Sequence, residues 1–571
     1  MSMRSAAALA RALRLGVRLG SARGAGAGLV RVAAHVAAWS PFLVSVADSL
    51  RGGWHAVGDG ALIALGSWAT FSRHVYLVGQ PTELHRGLHD LGPLEYWLLA
   101  IPVHLDPARG LLWGAALLCL AAVSMAIEAA WSVLGEVGGL LASGVILAMI
   151  AWMPTLALRP YWNPYFAAVW FLAAVAAGWA VMSGHRRWWP ALVVSASIAA
   201  QTHLMFALAS AGLVLVALIV AVANRSRVST GYRWVIAGLV VGQACWVAPF
   251  YQQLTHSPGN MSALIHAGTA GRQAGLGFAV KALAAFTEPP PMWWQGHLGQ
   301  RPDLYRVIEA RPAGFAVAAF AIAAVVLTLA IVKLRCRWLA SLAAVSLLVS
   351  AAAVMTFSGI PLIGRVLGRV SYLILVMFPA GVLIWLTAGS AIVLIVWNLI
   401  ASRRARTAGR APAPAGQPGT SRTRLAAYGA WAAAAALVVL ASLFGVGRAS
   451  GYSGADLNSD QVGVAARVIE RALPARRIIA LSVAAESRSE RYKVTMGLLW
   501  ALTGQGYDPD ISRLGPTRPI PQVAVLVRGS KVTVHITPRL RRSVRSGRRA
   551  RPRPLPDAAC HRVASCARAR R

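Results

Sequence analysis

Between Val57 and Pro102 the sequence gathers four acids, Asp59, Glu83, Asp90 and Glu95, in a stretch with apolar runs on either side. A carboxylate held at the water interface above a membrane cavity can take a proton from an acceptor hydroxyl, which is general-base chemistry. Asp59 is the best placed of the four, because it stands where the chain leaves one apolar run and a helical pattern begins. An N-cap is the structural role open to the same residue. Asp90, next to His89, is the second candidate.

Other residues could meet a charged substrate or stack on one. In "RPYWNPYF" (159–166), Arg159 can face a phosphate while Trp162 and Tyr165 offer stacking faces; an interfacial aromatic belt would use the same residues. In "AAQTHLMF", Gln201, Thr202 and His203 put polar groups at the end of an apolar run, where they are costly unless they bind something or bond between helices. Trp293 and Trp294 follow the Pro289–Pro291 run, with Glu288, His297 and Arg301 nearby, in the manner of a substrate-facing or lipid-dipping lid. His85 and His89 have the i,i+4 spacing of a two-His metal site, but Gly87 interrupts any helix there and no metal ligands are assigned.

The elements that must position these residues follow from composition. The chain has 57% hydrophobic and 13% charged residues and a mean hydropathy of +0.57, the balance of an integral membrane protein. Apolar runs of about 20 residues cross a bilayer as helices. Eleven are expected, near 29–48, 108–130, 138–158, 165–183, 189–204, 205–223, 234–250, 313–332, 337–356, 372–398 and 425–446.

Segments 1–31, 184–188, 224–233, 333–337 and 402–424 are rich in Arg and free of Asp and Glu, which marks one face as cytoplasmic. Apart from Glu128 and Glu136, the acids lie in or beside 48–107, 251–312 or the region after 446. The expected topology is a multi-pass protein of the cell membrane with its N-terminus cytoplasmic and its C-terminus extracytoplasmic. The net charge of +37 is then a positive-inside signal plus an Arg-rich tail, and no nucleic-acid partner is expected.

The domain plan is a basic cytoplasmic tail (1–28), a membrane body (29–446) with outer loops 49–107 and 251–312, an outer α/β domain (447–538) and an Arg-rich disordered tail (539–571) that can touch anionic lipid. In the outer domain the pattern predicts helices at 459–472 and 489–504 and strands at 477–483, "QVAVLV" and "KVTVHIT", the last two joined by "RGS". It carries no His, Cys or acid cluster of catalytic spacing. The linker 402–424 reads as flexible. The acid-free stretch 1–26 also fits an organellar transit peptide. Cys119, Cys245, Cys336, Cys560 and Cys566 show no metal spacing, and the last two could pair.

One stretch carries a family resemblance. A first span followed by Gly58-Asp59-Gly60-Ala61, an amphipathic surface helix, Gly79, His89, Gly92-Pro93-Leu94, Tyr96 and an apolar run to Pro102 resembles membrane glycosyltransferases of the GT-C superfamily, in particular the actinobacterial arabinofuranosyl- and mannosyltransferase-like proteins. Relatives often read His-Pro-Gly-Pro where this chain has His89-Asp90-Leu91-Gly92-Pro93. The resemblance implies a GT-C-like membrane domain and a polyprenyl-phosphate sugar donor. It implies a cell-envelope glycan, lipid or protein acceptor, contact with membrane lipids, and Asp59 as catalytic base. His89, Asp90, Arg159, Gln201, His203, Trp293 and Trp294 become substrate-binding candidates, and a divalent metal ion, Mg or Mn, is left open as a cofactor. Two other classes compete: a flippase for a lipid-linked sugar, which would place charges or broken helices near mid-span, and a non-catalytic cell-envelope scaffold.

Overall fold

Where apolar runs are long, a helix is the structure that satisfies every backbone group without water, and helices dominate this chain. The computed structural model describes residues 24–73, 75–82, 87–223, 232–267, 273–294, 304–360, 371–407, 457–473, 478–510, 522–528 and 531–536. In chain order the helices are α1 (Gly24–Arg51), α2 (Gly58–Ala69), α3 (Leu94–Leu105), α4 (Gly110–Leu134), α5 (Glu136–Trp152), α6 (Asn163–Ser183), α7 (Trp189–Thr202), α8 (Ala207–Ala223), α9 (Tyr232–Thr255), α10 (Asn260–Ala267), α11 (Gly275–Thr287), α12 (Leu304–Glu309), α13 (Gly314–Val332), α14 (Arg337–Ser358) and α15 (Met377–Thr407). Among the described residues eight helices are long and apolar enough to cross a membrane: α1, α4, α6, α8, α9, α13, α14 and α15. The chain is a multi-pass helical membrane protein with a small C-terminal α/β unit.

Three of the eleven expected spans differ. Residues 138–158 form the 17-residue α5, which stops at Trp152 because Pro154 disfavours helix at the residue before it. Residues 189–204 form the 14-residue α7, roughly 21 Å long and too short to cross alone. Residues 425–446 lie outside the described residues, as do most of both tails, Glu83, His85, His297, Arg301, Cys560 and Cys566. Helix α15 continues to Thr407, through the start of the segment expected to be a flexible linker.

The core centres on α6, whose residues are all buried except Ala176 and Ser183. A helix that is apolar all round belongs in the middle of a bundle, and α4, α7, α8 and α14 pack around this one. Glu128, an acid within an apolar helix, accepts from Arg31 of α1 with both carboxylate oxygens, the pairing a charge at membrane depth requires.

The segments read as outer loops are largely helical. Helix α2 buries Gly58, Gly60, Ala61, Ile63, Ala64, Gly66 and Ser67 and packs on α3, so its apolar residues face protein. It ends at Ala69, short of the surface helix expected to run to 78, and the Ser72 hydroxyl and amide both donate to the Ala69 carbonyl. Segment 251–312 holds α10, α12 and the buried α11, which packs between α13, α14 and α15.

The C-terminal unit follows its period-2 pattern. Helix α16 (Leu457–Ala472), β1 (Ile478–Ala484), α17 (Arg488–Gly504), β2 (Asp508–Asp510), β3 (Gln522–Arg528) and β4 (Lys531–Ile536) make a sheet of order β2-β1-β3-β4. Strand β1 is parallel to β2 and β3, and β3 pairs antiparallel with β4 in the register Val525 to Val534. Helix α17 is the crossover between parallel β1 and β2, and it packs on α2 of the membrane part.

Candidate functional site

Asp59 sits in the first turn of α2, where a carboxylate complements the helix dipole. The N-cap position belongs to Val57, with no side-chain cap bond, so Asp59 does not take the alternative role of N-cap. Gly58 has φ +53, which glycine adopts without strain. A Cβ on Gly60 would lie 2.7 Å from the Tyr161 ring. The two glycines thus let the chain pass closely between neighbours and leave the carboxylate half-buried.

Each carboxylate oxygen of Asp59 has its own donor. Trp162 Nε1 donates to Oδ2 at 3.0 Å and the Tyr492 hydroxyl to Oδ1 at 3.0 Å. The Gln80 amide donates to the Asp59 carbonyl at 3.3 Å. Trp162 precedes α6, and its ring stands edge-on to Tyr165 at 4.8 Å and to Tyr372 at 4.9 Å. Tyr372 in turn stands edge-on to His203 at 5.8 Å, whose Nδ1 accepts from the Met205 amide. An aromatic path therefore joins Asp59 to His203, two of the residues singled out by sequence.

Asp90 is a different kind of acid. It is buried, 5% exposed, at the end of a hairpin in which Gly79 N donates to Asp90 O and Asp90 N to Gln80 O. Its Oδ1 accepts from the Leu204 amide at 3.1 Å and its Oδ2 from Asn163 Nδ2 at 3.2 Å. Burial pushes its carboxyl up to about 7, opposed by those two hydrogen bonds. Asn260 of α10 brackets the same turn, accepting from His89 N and donating to the His89 carbonyl at 3.0 Å, while the His89 ring nitrogen Nδ1 meets Gly79 O at 3.1 Å. Glu95, the last of the four acids, is buried in the first turn of α3. Burial, then the charge of Asp90, holds its carboxyl well above the ordinary range, and Oε1 has no partner among the described residues.

The remaining candidates divide. Gln201 is fully buried; its amide nitrogen donates to the Cys245 carbonyl of α9 at 2.7 Å and its oxygen faces Gly92, so it fastens α7 to its neighbours. Arg159 is exposed on the turn before α6 and its carbonyl accepts from Trp162 N. Trp293 and Trp294 stack with centroids 6.2 Å apart. Trp293 is anchored edge-on against Phe378, and Trp294 is 74% exposed. Among the described residues no three His, Cys, Asp or Glu side chains come together to hold a metal ion, and the oxygens of Asp59 and Asp90 are all met by N–H or O–H donors.

Sequence reasoning missed Tyr492, Tyr372, Asn163 and Asn260. Asn163 had a readable signal, lying inside the quoted "RPYWNPYF" motif; the others reach the site only through tertiary packing.

No protein-family model matches the sequence, and no curated protein matches it. Solved structures that are similar include ArnT from Cupriavidus metallidurans bound to undecaprenyl phosphate, 15% identical, with a TM-score of 0.47 over 90% of this chain and 98% of that one. The Archaeoglobus fulgidus oligosaccharyltransferase in its apo form is 12% identical, with a TM-score of 0.41 over 87% of this chain and 66% of that one. The archaeal oligosaccharyltransferase AglB from Archaeoglobus fulgidus, in complex with an inhibitory peptide and a dolichol-phosphate, is 11% identical, with a TM-score of 0.37 over 85% of this chain and 65% of that one.

Proposed function

We propose that the chain is a membrane glycosyltransferase of the GT-C kind, resembling the actinobacterial arabinofuranosyl- and mannosyltransferase-like proteins. It transfers a sugar from a polyprenyl-phosphate donor to a cell-envelope glycan, lipid or protein acceptor on the outer face. One observation carries this reading: a half-buried carboxylate, Asp59, is held by a donor on each oxygen where the membrane helices meet the C-terminal unit. The acceptor hydroxyl attacks the anomeric carbon, its proton passes to Asp59, and the bond to the polyprenyl phosphate breaks with the electron pair leaving on phosphate oxygen. The configuration at the anomeric carbon inverts. The leaving group is already good, so the protein's task is to place the hydroxyl and take its proton.

The other residues follow in this proposal. His203, on the aromatic path from Asp59, and His89 contact donor phosphate or sugar hydroxyls, and exposed Arg159 counters the phosphate. Asp90 and Gln201, named as substrate contacts by the resemblance, hold the frame beneath the site. The N-terminus is cytoplasmic and the C-terminal unit extracytoplasmic. Membranes containing the protein, incubated in parallel with radiolabelled polyprenyl-phosphate arabinose and polyprenyl-phosphate mannose, should pass one label into acceptor. Absence of transfer from any polyprenyl-phosphate pentose or hexose overturns the reading.

In the same proposal Trp294 gives a stacking face to an acceptor sugar. Its contacts are worth about 0.5–1.5 kcal/mol, so Trp294→Ala should raise the acceptor KM about 2- to 10-fold with kcat unchanged, measured by initial rates against acceptor concentration. An unchanged KM removes Trp294 from the acceptor path.

A further inference from the structure

Tyr492 reaches Asp59 from 433 residues away. The C-terminal unit that carries it is seated closely on the start of the membrane part. A Cβ on Gly58 would lie 3.3 Å from Lys493 Cγ and 3.7 Å from Tyr492 Cε1. A Cβ on Gly497, one turn further along α17, would lie 3.0 Å from the Ala56 carbonyl and 3.2 Å from Val57 Cγ1. The His55 amide donates to Ser459 Oγ at 2.6 Å, and Trp500 stands edge-on to Trp68 at 5.9 Å. The close approaches at Gly58 and Gly497 seat the helix that carries Tyr492 against the start of α2.

We infer that Tyr492 is the positioning residue of Asp59, and that docking of the C-terminal unit onto α2 completes the catalytic site. The inference rests on Asp59 being the base. A carboxylate with the Trp162 donor alone can rotate about its side-chain torsions. A second donor on the other oxygen, fixed to a separate unit, sets the plane of the group. Each oxygen keeps a lone pair after accepting one hydrogen bond, so the acceptor hydroxyl still has a site to deliver its proton. Misplacement of a reacting group by an ångström can cost about 100-fold. Loss of one of two donors allows part of that displacement.

The test uses the full-length protein, purified in nanodiscs, with the labelled donor that supports transfer. Tyr492→Phe keeps the ring and removes the hydroxyl. It should lower kcat about tenfold with the donor KM unchanged. In an Asp59→Asn background, single-turnover transfer should be no slower with Tyr492→Phe than without it, because the hydroxyl acts only through the carboxylate. An equal loss in both backgrounds means general damage to the fold and overturns the inference. A wild-type or raised kcat for Tyr492→Phe, with Asp59→Asn inactive, overturns it while leaving the base in place. Full activity of Asp59→Asn instead overturns the base, and the inference with it.

Discussion

Asp59→Asn abolishes sugar transfer while the protein stays folded and donor-competent: this is the expected result for the purified variant. The amide matches the carboxylate in size, and its two ends can satisfy the two neighbours. Trp162 Nε1 is a donor only and takes the amide oxygen; the Tyr492 hydroxyl rotates to accept from the amide nitrogen. The packing around Gly58 and Gly60 is untouched. What disappears is the basic oxygen, and general-base assistance is worth about 10²–10⁴-fold. Initial rates should fall by that factor, while thermal unfolding and donor binding, read by equilibrium titration, stay within about 1 kcal/mol of wild type. A rate near wild type removes Asp59 from the mechanism. The neighbouring acids are then poor substitutes as they stand, since Asp90 and Glu95 are both buried.

The bundle was readable where one helix crosses alone, because hydropathy over about 20 residues reports contact with lipid. It was less readable where a buried helix is also short. Helix α7 is apolar over only 14 residues and yet lies deep in the molecule, so composition could not separate a span from an interior segment. The C-terminal strands were legible in their alternation: β4 shows exposed and half-buried residues in strict turn. Strand β2, with three residues, is too short to carry a period. In the site, Asp59 was legible as an acid between glycines after an apolar run. Tyr492 was not, because an ordinary tyrosine in the exposed first half of a helix meets Asp59 only through a docking contact 433 residues away. Glu95 was not singled out for the converse reason: among four acids in one stretch its depth does not show in the sequence, but Leu94, Tyr96 and Leu99 around it are core residues, and burial is decided by α2 and α4 packing on α3.

The second large effect is a dependence of stability on pH that Asp90 imposes. Burial raises its carboxyl from an ordinary 3.8 to about 7, so the folded chain holds the Asp90 proton more tightly than the unfolded chain does. The stability this group contributes is fully present below about pH 4 and is lost as pH rises through about 7. A displacement of this size corresponds to on the order of 4 kcal/mol between those limits. Glu95 is raised for the same cause and adds to the trend in the same direction. Asp90→Asn removes the titration but keeps the shape. The new amide oxygen can accept from the Leu204 amide, and Asn163 can turn its own amide by half a rotation to present oxygen to the new nitrogen. The variant should therefore be modestly more stable than wild type at pH 5 and clearly more stable at pH 8. Asp90→Ala should be less stable than Asp90→Asn at both values by about 2–5 kcal/mol, since it leaves the Leu204 and Asn163 donors buried without acceptors. Thermal unfolding midpoints of the detergent-solubilised protein from pH 5 to 8.5 measure this directly, with Glu95→Gln run beside them to separate the second acid. If Asp90→Asn keeps the wild-type slope, the Asp90 carboxyl is not the titrating group, and the slope remaining in Glu95→Gln shows whether its neighbour is.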